Sequence, residues 1–234
     1  MTDTYFVTGT DTDIGKTLAA KALLQAVNAL GMRTAGYKPV AAGCEQTSEG
    51  LRNGDALTLQ RAGSVALDYA SVNPYALTRP LSPHLAAPMD NVNIDAAVLT
   101  QGLRQLQASA DVVVVEGAGG WLVPLSDTQN LNQWVIEHRL PVILVVGIRL
   151  GCLNHALLSK RVIEADGLRL AGWIANHVDP NAACQQENLA YLTRHLGTPL
   201  LGRIPHLQET GGDVGHYLDL SALTLQGRQP PGSL

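Results

Sequence analysis

Hydrophobic positions along the chain switch repeatedly between a strand-like and a helix-like period. Tyr5-Phe6-Val7-Thr8 is a short β-prone run. After a polar, glycine-bearing stretch, Leu18, Ala19, Ala22, Leu23, Ala26, Val27 and Leu30 recur at helical spacing until Gly31 stops them. Thr34-Ala35-Gly36-Tyr37 predicts a second strand, which Lys38-Pro39-Val40 breaks into a loop. Residues 41–53, rich in Gly, Ser, Thr, Glu and Asn, read as a surface excursion. Asp55 to Arg61 reads as a short helix with an acid in its first turn. From Tyr69 to Met89 the prolines at 74, 80, 83 and 88 rule out any long regular element. Loops of that length in a compact domain tend to be functional.

Helical spacing resumes from Ile94 to Ala108. Val112-Val113-Val114-Val115 then marks a strand buried on both faces of a parallel sheet. A helix from about Asn130 to Arg139 leads to a second buried strand over 141–146, a loop over 147–152 and a helix over 153–165. Leu170 to Ala175 is another strand, 186–196 a helix, and Pro199 to Pro205 the last clear strand. Strands alternating with helices predict an α/β fold with a doubly wound, mainly parallel sheet, whose ligands sit at the carboxyl ends of the strands. The expected organisation is one domain over 1–228 with a frayed tail over 229–234.

Composition narrows the partners. A chain of 234 residues with 46% hydrophobic and 15% charged residues reads as globular, with an ample core. The net charge of −4 and the lack of a Lys/Arg cluster argue against a nucleic-acid surface. No apolar run approaches the roughly 20 residues of a membrane span. The N-terminus enters a strand directly, so no signal peptide is expected. Cys44, Cys152 and Cys184 have neither pairing arithmetic nor metal-ligand spacing, which suits a cytoplasmic protein with reduced thiols.

Chemistry collects in the turn after the first run, Gly9-Thr10-Asp11-Thr12-Asp13-Ile14-Gly15-Lys16-Thr17. A strand, a glycine loop and a helix opening at Gly-Lys-Thr make a P-loop, and the fold expected is of the P-loop NTPase type. Backbone N–H groups and the helix dipole suit phosphate. Lys16 can reach the terminal phosphates of a nucleoside triphosphate, and the Thr17 hydroxyl can ligate Mg²⁺. Five residues separate Gly9 from Gly15 where the usual pattern has four, so the loop is a variant. Glu116, directly after the four valines, stands where P-loop enzymes keep an acid for Mg²⁺; an ordinary strand cap is the alternative. Gly117-Ala118-Gly119-Gly120 behind it allows close approach to the backbone. Lys38 ends a strand expected to neighbour the P-loop and can neutralise charge between two phosphate-bearing groups. On spacing alone a solvated lysine remains equally open. Asp55 can be a ligand or merely the first-turn acid of its helix.

Taken in order, these stretches resemble the dethiobiotin synthetase family. The resemblance is carried by Gly9–Thr17, Ala35–Val40, Leu51–Ala56, Asn73-Pro74-Tyr75, Ser82-Pro83-His84, Glu116–Gly120, Gly151-Cys152-Leu153-Asn154-His155 and Gly172–Asn176. It implies a homodimeric, ATP- and Mg²⁺-dependent ligase that joins 7,8-diaminononanoate and CO₂. By position it implies Thr17, Asp55 and Glu116 as Mg²⁺ ligands, and Lys16, Lys38 and Thr12 at the carbamate and γ-phosphate. It implies nucleotide contacts at Asp13, Ile14, Gly15, Lys16, Thr17, Leu18, Asp55, Glu116, Gly117, Ala118, Gly119, Asn176, His177, Pro205, His206 and Leu207. Substrate contacts fall at Ala42, Gly151, Cys152 and Asn154, the last three toward a neighbouring subunit's site. Ala42 lies where Ser or Thr is common, so a contact there comes from backbone. His177 stands where an acid can follow the asparagine. Asn188 replaces a tyrosine, with Tyr191 one helical turn away.

Two readings from other classes compete: a nucleotide switch of the partitioning-ATPase kind, and a regulatory P-loop domain. Such switches usually carry an additional lysine early in the loop, and residues 10–14 have none.

Overall fold

The four valines at 112–115 lie buried mid-sheet, as a strand without a polar side must. The computed structural model describes residues 2–209 and 211–226. Its first half runs β1 (Asp3–Gly9), α1 (Lys16–Asn28), β2 (Thr34–Tyr37), β3 (Val40–Ala41), β4 (Glu45–Thr47), β5 (Gly50–Arg52), α2 (Gly54–Ala62), α3 (Tyr69–Val72), β6 (Tyr75–Ala76) and α4 (Pro83–Met89). The second half runs α5 (Ala96–Ser109), β7 (Val112–Glu116), α6 (Leu131–Glu137), β8 (Val142–Gly147), α7 (Cys152–Ala165), β9 (Leu170–Asn176), α8 (Gln185–His195) and β10 (Leu200–Ile204). A 3₁₀ turn at Gly215–Tyr217 follows, and no periodic pattern in the sequence announces it.

Six strands form one parallel sheet in the order β10-β9-β8-β1-β7-β2. From β1 the chain goes out to β2 at the edge, returns to β7 between them, and then crosses to β8 beyond β1. The reversal opens a crevice at the carboxyl ends of β1 and β7. The strand that ends at Lys38 does not neighbour the P-loop strand, because β7 intervenes and pairs with both. Parallel pairing leaves no local mark in the sequence, and β1 and β7 are alike in having buried apolar centres, Tyr5-Phe6-Val7 and Val112–Val115.

Helices cover both faces. Leu23, Leu24 and Val27 of α1 and Leu59 of α2 pack with Tyr5, Val7 and Val114. Leu99, Leu103 and Leu106 of α5 and Trp134 of α6 pack with Phe6, Val113 and Val115 on the opposite face. Burial of each such side chain stabilises the fold by about 1.5–3 kcal/mol. Helix α1 ends at Asn28, and Gly31 takes a left-handed φ of 78°, so Leu30 falls outside the helix and is exposed.

Within the expected surface excursion, β4 and β5 form a small antiparallel hairpin. The residues of β4 are polar and exposed and those of β5 half-buried, and neither strand carries an alternating pattern. The prolines of 69–89 confine helices α3 and α4 to four and seven residues, with Pro83 in the first turn of α4, where its missing N–H costs nothing. The expected tail over 229–234 lies outside the described residues. Among the described residues no helix is long and apolar enough to cross a membrane.

Candidate active site

The loop between β1 and α1 is shaped from below. Ile14 is fully buried under it, and a Cβ on Gly9 or Gly147 would stand 2.7 or 2.8 Å from the Ile14 side chain. Asn176, at the end of β9, donates from Nδ2 to the Ile14 carbonyl at 2.8 Å. Gly15 must therefore be glycine twice over. Its φ is +84°, and a Cβ there would lie 2.0 Å from that same Nδ2. The turn starts α1 at Lys16 without a side-chain cap, so the first N–H groups of the helix face the crevice.

Lys16, 7% exposed, donates to the Asp11 carbonyl at 2.9 Å. The Asp11 carboxylate accepts from the Thr12 N–H and pairs with Arg149 at 2.6 Å. Both bonds hold the tip of the loop. Thr17 Oγ1 donates to Glu116 Oε1 at 2.8 Å. Lys38 arrives from the edge strand and reaches across the end of β7. Its Nζ contacts Glu116 Oε1 at 2.5 Å, Asp55 Oδ2 at 3.1 Å and the Gly117 carbonyl at 3.2 Å. Lys38 is thus buried and fully bonded, not a solvated surface lysine.

The electrostatics follow from this packing. Burial alone would depress the Lys38 ammonium, but Glu116 and Asp55 outweigh it and hold its pKa above the ordinary lysine value. Burial pushes the Glu116 carboxyl up, and Lys38 and Thr17 offset only part of that rise. At Asp55 the balance reverses: burial pushes up, and Lys38 pulls the carboxyl below the usual range. Lys16 is lowered by burial and then by the like charge of Lys38, with Glu116 and Asp55 opposing.

Thr17, Asp55 and Glu116 supply one hydroxyl and two carboxylates, a hard-oxygen set of the kind Mg²⁺ takes. Glu116 Oε2 is buried with no hydrogen-bond partner, an orphan that a cation ligated by this carboxylate would satisfy. The residues therefore fit the metal. Among the described residues no cluster of three or more His, Cys, Asp or Glu side chains offers an alternative.

A cleft of about 1340 Å³ opens over these groups, lined by Thr12, Asp13, Gly15, Lys16, Thr17, Leu18, Lys38, Ala42, Asp55, Glu116, Ala118 and Gly119. The sequence reading assigned no role to Lys21, Asn53, Ser82 or Leu122-Val123-Pro124, which line it too. Their signal is weak, since each comes from a loop or helix start without a chemical motif. Ala42 faces the cleft, and its carbonyl accepts from Asn53 Nδ2 at 3.2 Å.

The remaining expected residues stand apart from this cleft. Asn176 is buried beneath the loop. The His177 N–H donates to the Ile204 carbonyl, and its ring meets Gln185 Oε1 at 2.6 Å. Pro205, His206 and Leu207 follow β10, so they share with Asn176 and His177 the carboxyl end of two paired strands. Gly151, Cys152 and Asn154 open α7 after β8. Gly151 has a φ of 92°, Cys152 is buried and Asn154 exposed, and none lines the cleft of its own chain. Tyr191, on α8, stacks on His195.

Comparison with known proteins places this geometry. A family model described as an AAA domain matches residues 3–213. ATP-dependent dethiobiotin synthetase BioD 1 of Escherichia coli (strain K12) is 54% identical over 225 residues, spanning 95% of this chain and 100% of that protein. ATP-dependent dethiobiotin synthetase BioD of Vibrio vulnificus (strain YJ016) is 54% identical over 224 residues, 95% of this chain and 99% of its own. Among solved structures, the MinC:MinD cell division complex of Aquifex aeolicus matches with a TM-score of 0.56 at 16% identity, over 93% of this chain and 87% of that one. A ParA family ATPase from Chlorobium tepidum TLS matches with a TM-score of 0.55 at 16% identity, over 92% and 95%. At such identity the structural likeness speaks to fold alone: a P-loop NTPase sheet.

Proposed function

Because this chain belongs to the ATP-dependent dethiobiotin synthetase family, we propose that its cleft closes the ureido ring of dethiobiotin from 7,8-diaminononanoate and CO₂, with ATP split to ADP and phosphate. One substrate amine adds to CO₂ and loses a proton, giving a carbamate. A carbamate oxygen then bonds to the γ-phosphorus as the bond to the ADP oxygen breaks, giving a carbamic–phosphoric anhydride. The second amine attacks the carbonyl carbon, the carbon–oxygen bond to phosphate breaks, and the ring closes as that amine gives up its proton.

The observation that carries this reading is the position of Lys38. Its ammonium is held in the interior at the mouth of the P-loop, where negative charge grows during phosphoryl transfer. Lys16 and the α1 N-terminus hold the β- and γ-phosphates, Lys38 faces the carbamate, and Thr12 binds beside it. Asp13 to Leu18, Gly117, Ala118 and Gly119 wrap the nucleotide. Asn176, His177 and 205–207 form the lip for the base. Thr17, Asp55 and Glu116 would hold Mg²⁺, which would supply charge neutralisation for the phosphate groups. The backbone at Ala42 meets the diamine.

Gly151, Cys152 and Asn154 lie outside their own chain's cleft, which supports a homodimer in which this helix start cradles the carboxylate of the neighbour's substrate. The enzyme acts in the cytoplasm. A direct test measures phosphate release with diamine and bicarbonate, separately and together. Release is expected only with both. Steady hydrolysis that ignores the diamine would instead identify a nucleotide switch.

A further inference from the structure

Two stretches that the reaction does not use, Arg52-Asn53 and Asn73-Pro74-Tyr75, meet in the interior behind Lys38. The backbone of Lys38 is gripped on both sides by residues 72 and 73. Its N–H donates to the Val72 carbonyl at 2.8 Å, and its own carbonyl accepts from Asn73 Nδ2 at 2.6 Å. The same amide donates to the Tyr75 carbonyl at 3.1 Å. Asn73 Oδ1 accepts from the Tyr69 hydroxyl at 2.9 Å, and that hydroxyl accepts from the Asn53 N–H at 2.8 Å. Asn53 then caps α2: its Oδ1 accepts from the N–H groups of Asp55 and Ala56, and its Nδ2 donates to the Ala42 carbonyl. Asn53, Tyr69 and Asn73 are all buried, and the Arg52 guanidinium closes over the Tyr69 ring at 4.3 Å.

The Asn73 and Tyr69 side chains run in line to the backbone N–H of Asn53, whose own side chain carries the line on, and the backbone gripped at its ends belongs to Lys38, Ala42 and Asp55. These come from the β2 exit, the β3 exit and the α2 start, three pieces with no sheet bond between them. We propose that Asn73, Tyr69 and Asn53 are positioning residues that hold the phosphoryl-transfer lysine, the diamine contact and a metal carboxylate in one register. The inference rests on the roles assigned to Lys38, Ala42 and Asp55 above. Displacement of a reacting group by about 1 Å costs on the order of 10²-fold in rate, so a chain of this kind matters to catalysis beyond its contribution to stability. The links from Asn53 to Tyr69, from Tyr69 to Asn73 and from Asn73 to Lys38 are buried, and breaking one strands its partner rather than exchanging it for water.

Tyr69→Phe removes the middle oxygen and leaves the ring in place; Asn73→Ser withdraws the amide from the Lys38 carbonyl. For each variant, thermal unfolding, kcat and the affinity for ADP with and without Mg²⁺ are measured, the affinities by calorimetry. The expected result for a folded variant is a kcat lower by about tenfold or more, and a Mg²⁺-dependent gain in ADP affinity that shrinks about threefold. Affinity without Mg²⁺ stays within about twofold, because the P-loop is untouched. A folded variant that keeps both kcat and the Mg²⁺-dependent gain would overturn the proposal, and so would loss of folding in both variants, which would make the line a stability element only. If Lys38→Ala itself kept full turnover, the underlying functional reading would fail instead, so the two failures are told apart.

Discussion

Replacing Lys38 with alanine lowers kcat by about 10²–10³-fold, with much smaller changes in the KM values for ATP and diamine. Lys38 sits in the interior with three acceptors within 3.2 Å, so its charge acts at low dielectric and needs no reorganisation as the γ-phosphoryl moves. Its loss is felt where charge develops, not where substrates first bind. The variant also carries a pH signature. Glu116 is 1% exposed and already has a raised pKa, and removing Lys38 takes away the main attraction that offsets burial. A carboxyl whose folded pKa is raised contributes stability below its unfolded pKa and loses it as pH rises through the folded one. Unfolding of Lys38→Ala at pH 5 and pH 8 should therefore show a larger deficit, relative to the parent, at pH 8. An equal deficit at both values, with near-normal turnover, would remove Lys38 from the mechanism.

Glu116→Gln raises the Mg²⁺ requirement by roughly 10–100-fold and leaves the diamine KM nearly unchanged. The carboxylate binds Thr17 and Lys38 through one oxygen and leaves the other buried without a partner. Its amide counterpart keeps the shape and one acceptor oxygen, but it offers no net charge to a cation. Half-saturation by Mg²⁺, read both from turnover and from calorimetric ADP binding, measures the change. An unchanged titration would make Glu116 a strand-end cap that serves only Thr17 and Lys38.

How far the sequence reached depends on how local each signal is. The P-loop was legible because Gly15, Lys16 and Thr17 lie within three residues and follow a strand. The unbroken β-branched run at 112–115 placed Glu116 at a strand end. Strand order was not legible, because β1, β7 and β8 are alike in being buried and apolar; hence Lys38 was expected one strand too near the loop. The contact of Lys38 with Glu116 spans 78 residues, and that with Asn73 spans 35. Asn73 in a proline-rich stretch looks like turn chemistry until the fold brings its amide to the Lys38 carbonyl. Gly151 and Asn154 show the converse: motif resemblance singled them out, and within one chain they touch no part of the cleft.

In the proposed reaction a carbamate oxygen attacks the γ-phosphorus between Lys16 and Lys38. Transfer of oxygen from CO₂ to phosphate measures that step. With C¹⁸O₂ supplied fast enough to outrun its exchange with water, one ¹⁸O per turnover should appear in inorganic phosphate and the other in the ureido carbonyl. Unlabelled phosphate released alongside dethiobiotin would contradict the account, because the oxygen on phosphorus would then have come from water.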